Sequence, residues 1–354
     1  MATKDERQPI ILGIESSCDE TAAAVIKGRK ILSDEIASSA SVQALYGGVV
    51  PEIASRAHAD AVEKVVERAI EKAGISPCEI DAVAVTYGAG LLGALLVGVS
   101  FAKAYAYALK KPLIAVNHIR GHLAAAYLAD ETLKPPFITL LASGGHTAIL
   151  YAENEVKFSY LGGTKDDAAG EAFDKVARVL SLPYPGGPNI QRLAQEGEAN
   201  VPMPLMFKSG GGYDFSYSGL KTAVINYCHT KEQKGESYSK ADVAASFQKA
   251  AIDVLVKKTV AAAKEKRVRV VTAGGGVVAN DYLRRALGEA CAKNGLRLVL
   301  PEKRYCTDNA AMIAAEGAIR YKRGEFAPLT LNAKASIPLC AVAENNGEQG
   351  ENNG

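Results

Sequence analysis

The sequence predicts an α/β protein, and three observations carry that prediction. Strand-like apolar runs alternate with helical runs along most of the 354 residues, the pattern of a sheet with helices laid on its faces. One unit occurs twice: residues 9–27 read as strand, tight polar turn, strand, and residues 137–151, containing ITLLASGGHTAIL, repeat it as a weak internal duplication. The chain is also 48% hydrophobic, which at this length supplies the cores of two ordinary domains.

Taken in order, residues 9–15 (PIILGIE) form a buried-type strand that runs into a Ser-Ser-Cys-Asp-Glu-Thr turn, with the returning strand at 22–27. Residues 51–73 form a helix opening on Pro51, with Ile53, Ala57, Ala61, Val65 and Ile70 on one stripe. Strands follow at 80–86 and 112–116, then the hairpin at 137–151. A helix begins near Asp166 and carries Asp166, Asp167, Glu171 and Asp174, of which Asp174, deepest and beside Phe173, is expected to face inward. Residues 184–189 (YPGGPN) are rigid at the prolines and open at the glycines. A long Ala/Val-rich helix spans 239–266, strands lie at 268–273 and 296–300, and a helix from Thr307 closes at Gly324. The closing AENNGEQGENNG is polar and expected to be disordered.

Bulk properties exclude several classes. Lys+Arg of 41 against Asp+Glu of 39 leaves +2, and the three glutamates after Leu339 make the body before them about +5, which permits an anionic partner without demanding one. Cys18, Cys78, Cys228, Cys291, Cys306 and Cys340 form no Cys-x-x-Cys pair, and the first thirty residues begin charged, so a reducing cytoplasm is expected. The most apolar segment, 88–109, is cut by Gly90, Gly93, Gly98, Ser100 and Lys103, so no membrane association is expected.

Four segments carry candidate chemistry. His118 and His122 in NHIRGHL stand four apart, which on a helix stacks both imidazoles on one face, either as metal ligands or as an ordinary hydrogen-bonded pair. A metalloprotease of the His-Glu-x-x-His type would have glutamate where Ile119 stands, so hydroxide generation lacks its base. Asp308 opens the last helix, as cap or as third ligand; two imidazoles and a carboxylate would suit iron or zinc as a Lewis acid. Ser143-Gly-Gly-His-Thr147 offers unshielded backbone N–H groups, for an anion or only for a tight turn. Gly274-Gly-Gly276, between strand and helix, fits neither phosphate-loop nor dinucleotide fingerprint, and Asn280 beyond it either meets a ligand or caps the helix.

In order along the chain, GIESSCDET, VNHIRGHL, LLASGGHT, GEAFDKVAR, YPGGP, DFSYSGLKTA, AGGGVVAN and TDNAAMIA resemble the bacterial form of the TsaD family, the tRNA N6-adenosine threonylcarbamoyltransferases once labelled glycoproteases, over about residues 9–338. The resemblance implies an actin/Hsp70/sugar-kinase-like fold, with residues 1–120 and the C-terminal helix 307–338 as one lobe, 121–306 as the other, and 340–354 as a disordered tail. It implies transfer of a threonylcarbamoyl group from threonylcarbamoyl-AMP to N6 of the adenosine 3′ of the anticodon in tRNAs reading ANN codons. It makes His118, His122 and Asp308 ligands of one divalent metal, iron(II) or zinc, and places Leu141, Ala142, Ser143, Gly144, Gly145, Asp174, Gly187 and Asn280 around the adenylate. Gln191 stands where many bacterial members have an acid, and keeps only an amide for a ribose hydroxyl. Glu15, ending the first strand, is a catalytic candidate by position. Implied partners are tRNA, TsaB paired through the N-terminal lobe, and the ATPase TsaE, with no membrane; TsaC or its longer relative makes the adenylate. The rival readings are a small-molecule kinase on the same fold and a non-catalytic nucleotide-binding module.

Overall fold

The computed structural model describes residues 7–39, 42, 43, 46, 50–204 and 212–337; the tail 340–354 lies outside the described residues. The first sheet combines β1 (Ile10–Glu15), β2 (Glu20–Lys27), β3 (Lys30–Ser38), β4 (Ala82–Gly88) and β5 (Leu113–Asn117) in the order β3-β2-β1-β4-β5. The second combines β6 (Phe137–Ala142), β7 (Thr147–Ala152), β8 (Phe158–Gly163), β9 (Val270–Gly274) and β10 (Arg297–Val299) in the order β10-β9-β6-β7-β8. Read from the other edge, the second order is the first with every strand replaced by its counterpart. In each sheet the leading strand pairs antiparallel with the next and parallel with the fourth. The faint duplication in the sequence is thus a duplication of whole-sheet topology.

Ten helices of the described residues cover these sheets: α1 (Pro51–Ala73), α2 (Leu92–Leu109), α3 (His118–Ala124), α4 (Ala126–Ala129), α5 (Ala169–Val179), α6 (Gly186–Ala194), α7 (Ser218–Gln233), α8 (Lys240–Glu265), α9 (Asp281–Lys293) and α10 (Ala310–Lys322). On the outer face of the first sheet, Leu12, Ile14 and Val25 pack against Val62, Val66 and Ala69 of α1 and Val99 and Ala102 of α2. On its inner face, Ile11 and Ile26 join Ile119 and Leu123 of α3, Met312 and Ile313 of α10, and Phe137, Leu141 and Leu150 of the second sheet in one cluster. The far face of the second sheet packs on α5 to α9. So α3 and α10 form a shared layer between the sheets, and the chain, having built the second sheet, returns in α10 to pack on β1. Burying each aliphatic side chain of that layer contributes about 1.5–3 kcal/mol.

Three local expectations change, the first being that the last helix runs only over Ala310–Lys322, with described residues 324–337 outside any helix, rather than over 307–338. Val65 and Ile70 of the expected stripe are buried, but the buried stripe of α1 also runs through Ala54, His58, Val62, Val66 and Ala69, with Ile53, Ala57 and Ala61 at its margin, because His58 is drawn inward by Thr21 Oγ1 at 2.7 Å and the Cys18 carbonyl at 3.0 Å. Asp166 does not begin a helix: α5 starts at Ala169, and Asp166 instead accepts from Ser216 Oγ, Tyr217 N and Ser218 Oγ at the start of α7. The apolar segment 88–109 yields α2, which by length and composition alone could cross a membrane; here one face packs on the first sheet while Leu92, Leu96 and Tyr107 are exposed at 48, 39 and 73%. The five described cysteines are free thiols.

Candidate active site and metal centre

At the end of β5, Asn117 caps α3 by accepting from the Ile119 N–H at 2.8 Å, and the helix that follows presents His118 and His122 on one face. At the entry to α10, Asn309 caps by accepting from Met312 N at 2.9 Å and donates its amide to the Thr307 and Tyr305 carbonyls, which fixes the turn carrying Asp308. The two helices approach closely because position 121 is glycine: a Cβ there would lie 2.7 Å from Ile313 Cδ1. In consequence Asp308 Oδ1 stands 3.4 Å from His118 Nε2 and 3.3 Å from His122 Nε2. The donor atoms of the three residues lie within 4.8 Å of one another, a candidate metal triad.

Glu15 completes the cluster from behind. Its side chain is fully buried, accepting from Ser17 N at 2.5 Å, Thr86 Oγ1 at 2.7 Å and His118 Nδ1 at 3.0 Å. With Nδ1 engaged by Glu15, His118 presents Nε2 toward Asp308, the outer carboxylate arrangement found behind metal-bound histidines. Burial disfavours charge throughout, but His118 outweighs it at Glu15 and at Asp308, holding both carboxyls below their ordinary values. At His118 burial is outweighed in turn by Asp308 and Glu15, which hold the imidazole well above its usual value, while burial pushes His122 down. Two carboxylates around two imidazoles call for positive charge at the centre, and the N2O donor set fits a borderline divalent cation.

Beside this cluster lies a cavity of ≈ 490 Å³. Its walls are the β1–β2 turn (Asp19, Glu20), the β6–β7 turn (Ser143, Gly144), α5 (Asp174), the start of α6 (Gly187, Gln191), the 276–280 turn after β9, and Lys303, Thr307 and Asp308. Asp308 therefore belongs to both the triad and the cavity. Gly144, Gly145 and Gly187 have nothing within 4 Å of where a Cβ would stand, so backbone faces open space there. Gly275 differs: its φ is +100° and a Cβ would sit 2.4 Å from the Ala142 carbonyl, so this glycine is required by the turn itself.

Of the residues singled out in the sequence, His118, His122 and Asp308 come together, and Ser143, Gly144, Asp174, Gly187, Gln191 and Asn280 line the cavity. Leu141 and Ala142 point into the core from β6, just before Ser143. Glu15 is not in the cavity wall. Asp174 accepts from the Gly186 N–H at 2.7 Å, and burial pushes its carboxyl above the ordinary value. Asn280 caps α9 through Leu283 N and donates to Gln248. Gln191 pairs with Asp281 through both ends of its amide. Sequence reasoning missed Asp19, Glu20 and Tyr184 as wall residues; their presence inside the SSCDET and YPGGP motifs was the available signal. Lys303 also lines the cavity and pairs with Asp281, while Arg304 pairs with Glu302.

Duplicated sheets sharing a central helical layer, with a cavity at the carboxyl ends of β1, β6 and β9, define the actin/Hsp70/sugar-kinase class of two-lobed α/β proteins. Full-length HypF, solved in a phosphate- and nucleotide-bound form, has a similar fold at TM-score 0.62 and 16% identity, over 91% of this chain and 57% of that one. A match to TsaD, the tRNA N6-adenosine threonylcarbamoyltransferases, spans residues 30–315, and the chain belongs to that family. The relative of that name from Geobacillus thermodenitrificans is 53% identical over 93% of this chain and 96% of its own length. The one from Moorella thermoacetica is also 53% identical, over 93% and 97%.

Proposed function

We propose that the chain transfers the threonylcarbamoyl group of threonylcarbamoyl-AMP to N6 of the adenosine 3′ of the anticodon in tRNAs reading ANN codons. Relatives of that name match nearly end to end, and the observation that carries the mechanism is the double membership of Asp308, which joins a His-His-Asp cluster to a glycine-walled cavity of nucleotide size. In the reaction the amine attacks the carbamoyl carbon, the bond from that carbon to the phosphate oxygen breaks, and AMP departs. The donor is already an activated anhydride, so no hydroxide need be made, consistent with Ile119 in place of a glutamate.

His118, His122 and Asp308 would hold iron(II) or zinc, which supplies Lewis-acid polarisation of a carbonyl oxygen. Glu15 orients His118 rather than meeting substrate, since its oxygens are taken within the fold. Ser143, Gly144, Gly145 and Gly187 let the adenylate lie against backbone; Asp174 and Gln191 shape the wall, and Asn280 sets the entry to α9. Lys303, the only lysine or arginine in the described lining, faces the departing phosphate. The lobes on this reading are 1–120 with 307–338, and 121–306, and the working place is the cytoplasm. TsaB docks on the N-terminal lobe over the exposed Leu92, Leu96 and Tyr107 of α2, and TsaE acts on the pair. Leu96→Asp is expected to abolish co-elution with TsaB on gel filtration while the melting temperature holds; undiminished co-elution would move the interface elsewhere.

The test of function is mass spectrometry of tRNA nucleosides after incubation with threonine, bicarbonate, ATP and the companion proteins. Threonylcarbamoyladenosine should form only when the chain is included. Its absence, with ATP turnover on a small metabolite instead, would favour a kinase.

A further inference from the structure

Between the two histidines stands Arg120, two residues from each and so on the opposite face of α3. It is 2% exposed, and its partner Glu316, on α10, is 1% exposed. Arg120 Nε donates to Glu316 Oε1 at 3.1 Å, Nη1 to the Val156 carbonyl at 2.9 Å and Nη2 to the Glu155 carbonyl at 3.1 Å. The guanidinium carbon lies 4.5 Å from the Phe158 ring centroid, and Arg320 Nε donates to the same Glu316 oxygen at 2.9 Å.

These contacts join the two segments that carry the metal donors to a third, the β7–β8 turn. Arg120 shares a seven-residue helix with His118 and His122, too short to hold its own orientation. Glu316 lies two turns into the helix whose entry carries Asp308. Residues 155 and 156 form the turn between β7 and β8 of the second sheet. A buried ion pair contributes little net stability, because desolvation offsets attraction; what a charge-assisted, forked arginine supplies is direction. We infer that Arg120 and Glu316 are a positioning pair that sets the spacing of His118 and His122 against Asp308 and ties it to the second sheet. The helix is thereby held from both faces: on one side His118 meets Glu15 and both histidines meet Asp308, and on the other Arg120 is anchored to Glu316 and the second sheet.

The inference rests on the metal reading of the triad, so the test begins with the metal-stripped wild-type chain, titrated with cobalt(II) and followed by calorimetry and visible absorption. The comparison is Arg120→Met/Glu316→Leu, which removes both buried charges together, though the Glu155 and Val156 carbonyls and Arg320 lose those partners. Its metal-free melting temperature should stay within a few degrees of wild type, while cobalt affinity falls about tenfold or more and the absorption band shifts. Wild-type affinity and spectrum in the folded double variant would overturn the inference and leave the triad standing. No cobalt binding by the wild type would overturn both. Should the double variant not fold, Arg120→Lys keeps a charge opposite Glu316 but cannot span the Glu155 and Val156 carbonyls; an affinity loss of about tenfold supports the inference, and unchanged affinity overturns it.

Discussion

The two leading hairpins occupy equivalent places in the duplicated sheets and do opposite things. The β1–β2 turn is pinned from outside: Ser16 Oγ donates to the Ala94 carbonyl at 3.0 Å and the Cys18 carbonyl accepts from His58, while within the turn Ser17 N donates to Glu15. It brings Glu15, Asp19 and Glu20 to the centre. The β6–β7 turn satisfies itself, with Ser143 N donating to the His146 carbonyl at 2.8 Å and His146 N to Ser143 Oγ at 3.1 Å, which leaves two glycines bare. One scaffold has thus been used once to deliver charge to the histidine cluster and once to withdraw side chains so that a ligand fits. Division of labour between the halves, rather than any single motif, makes the cleft.

The largest effect should come from the charged half. Asp308→Ala is expected to lower metal affinity more than about 100-fold and abolish transfer, whereas Glu15→Gln, touching only the far nitrogen of His118, should cost roughly 10–100-fold. Metal titration of both variants, with the metal-free melt as control, checks the ranking; equal losses would mean that Glu15 is itself a ligand.

The glycine half sharpens the contrast by a pair of identical substitutions. Gly275→Val forces a branched side chain to positive φ and into the Ala142 carbonyl, and should destabilise by about 2–4 kcal/mol. Gly144→Val meets open space, should change stability by less than about 0.5 kcal/mol, and should still block an adenylate analogue in calorimetry. Full affinity in folded Gly144→Val would take the β6–β7 turn out of the binding surface.

A further effect is one of pH. Burial and the neighbouring Asp19 push the Glu20 carboxyl from 4.5 up to about 9. Because the folded state then holds the proton more tightly than the unfolded, this group's stability is present below pH 4.5 and is lost as pH rises toward 9. Melting of Glu20→Gln against wild type should show an advantage that grows from pH 5 to pH 8; a constant difference would mean an ordinary, solvated carboxylate.

Much of this arrangement was legible in the chain. Helical spacing announced that His118 and His122 share a face, and the repeated strand-turn-strand announced two related sheets. The third donor was only suggested by its place at a helix entry, because nothing local says that residue 308 returns to residue 118. The Glu15–His118 bond and the Arg120–Glu316 pair span 103 and 196 residues, and no periodicity records such contacts. Gly144 and Gly275 look alike in sequence since φ is not written there, yet one borders the cavity and the other is demanded by a turn. Asp166 misled for a related reason: an acid before a helical pattern reads as a first-turn residue, and here it serves the start of α7, fifty residues on.

The central claim is that a metal held by His118, His122 and Asp308 acts on a donor bound in the adjoining cavity. Its most direct test supplies purified threonylcarbamoyl-AMP and tRNA to the wild-type protein with its required companions, first stripped of metal and then reloaded with iron(II) or zinc, while binding of an AMP analogue is followed in parallel. The account predicts that the stripped protein binds the analogue but forms no threonylcarbamoyladenosine, and that reloading restores transfer. Transfer at the same rate before and after reloading would contradict it.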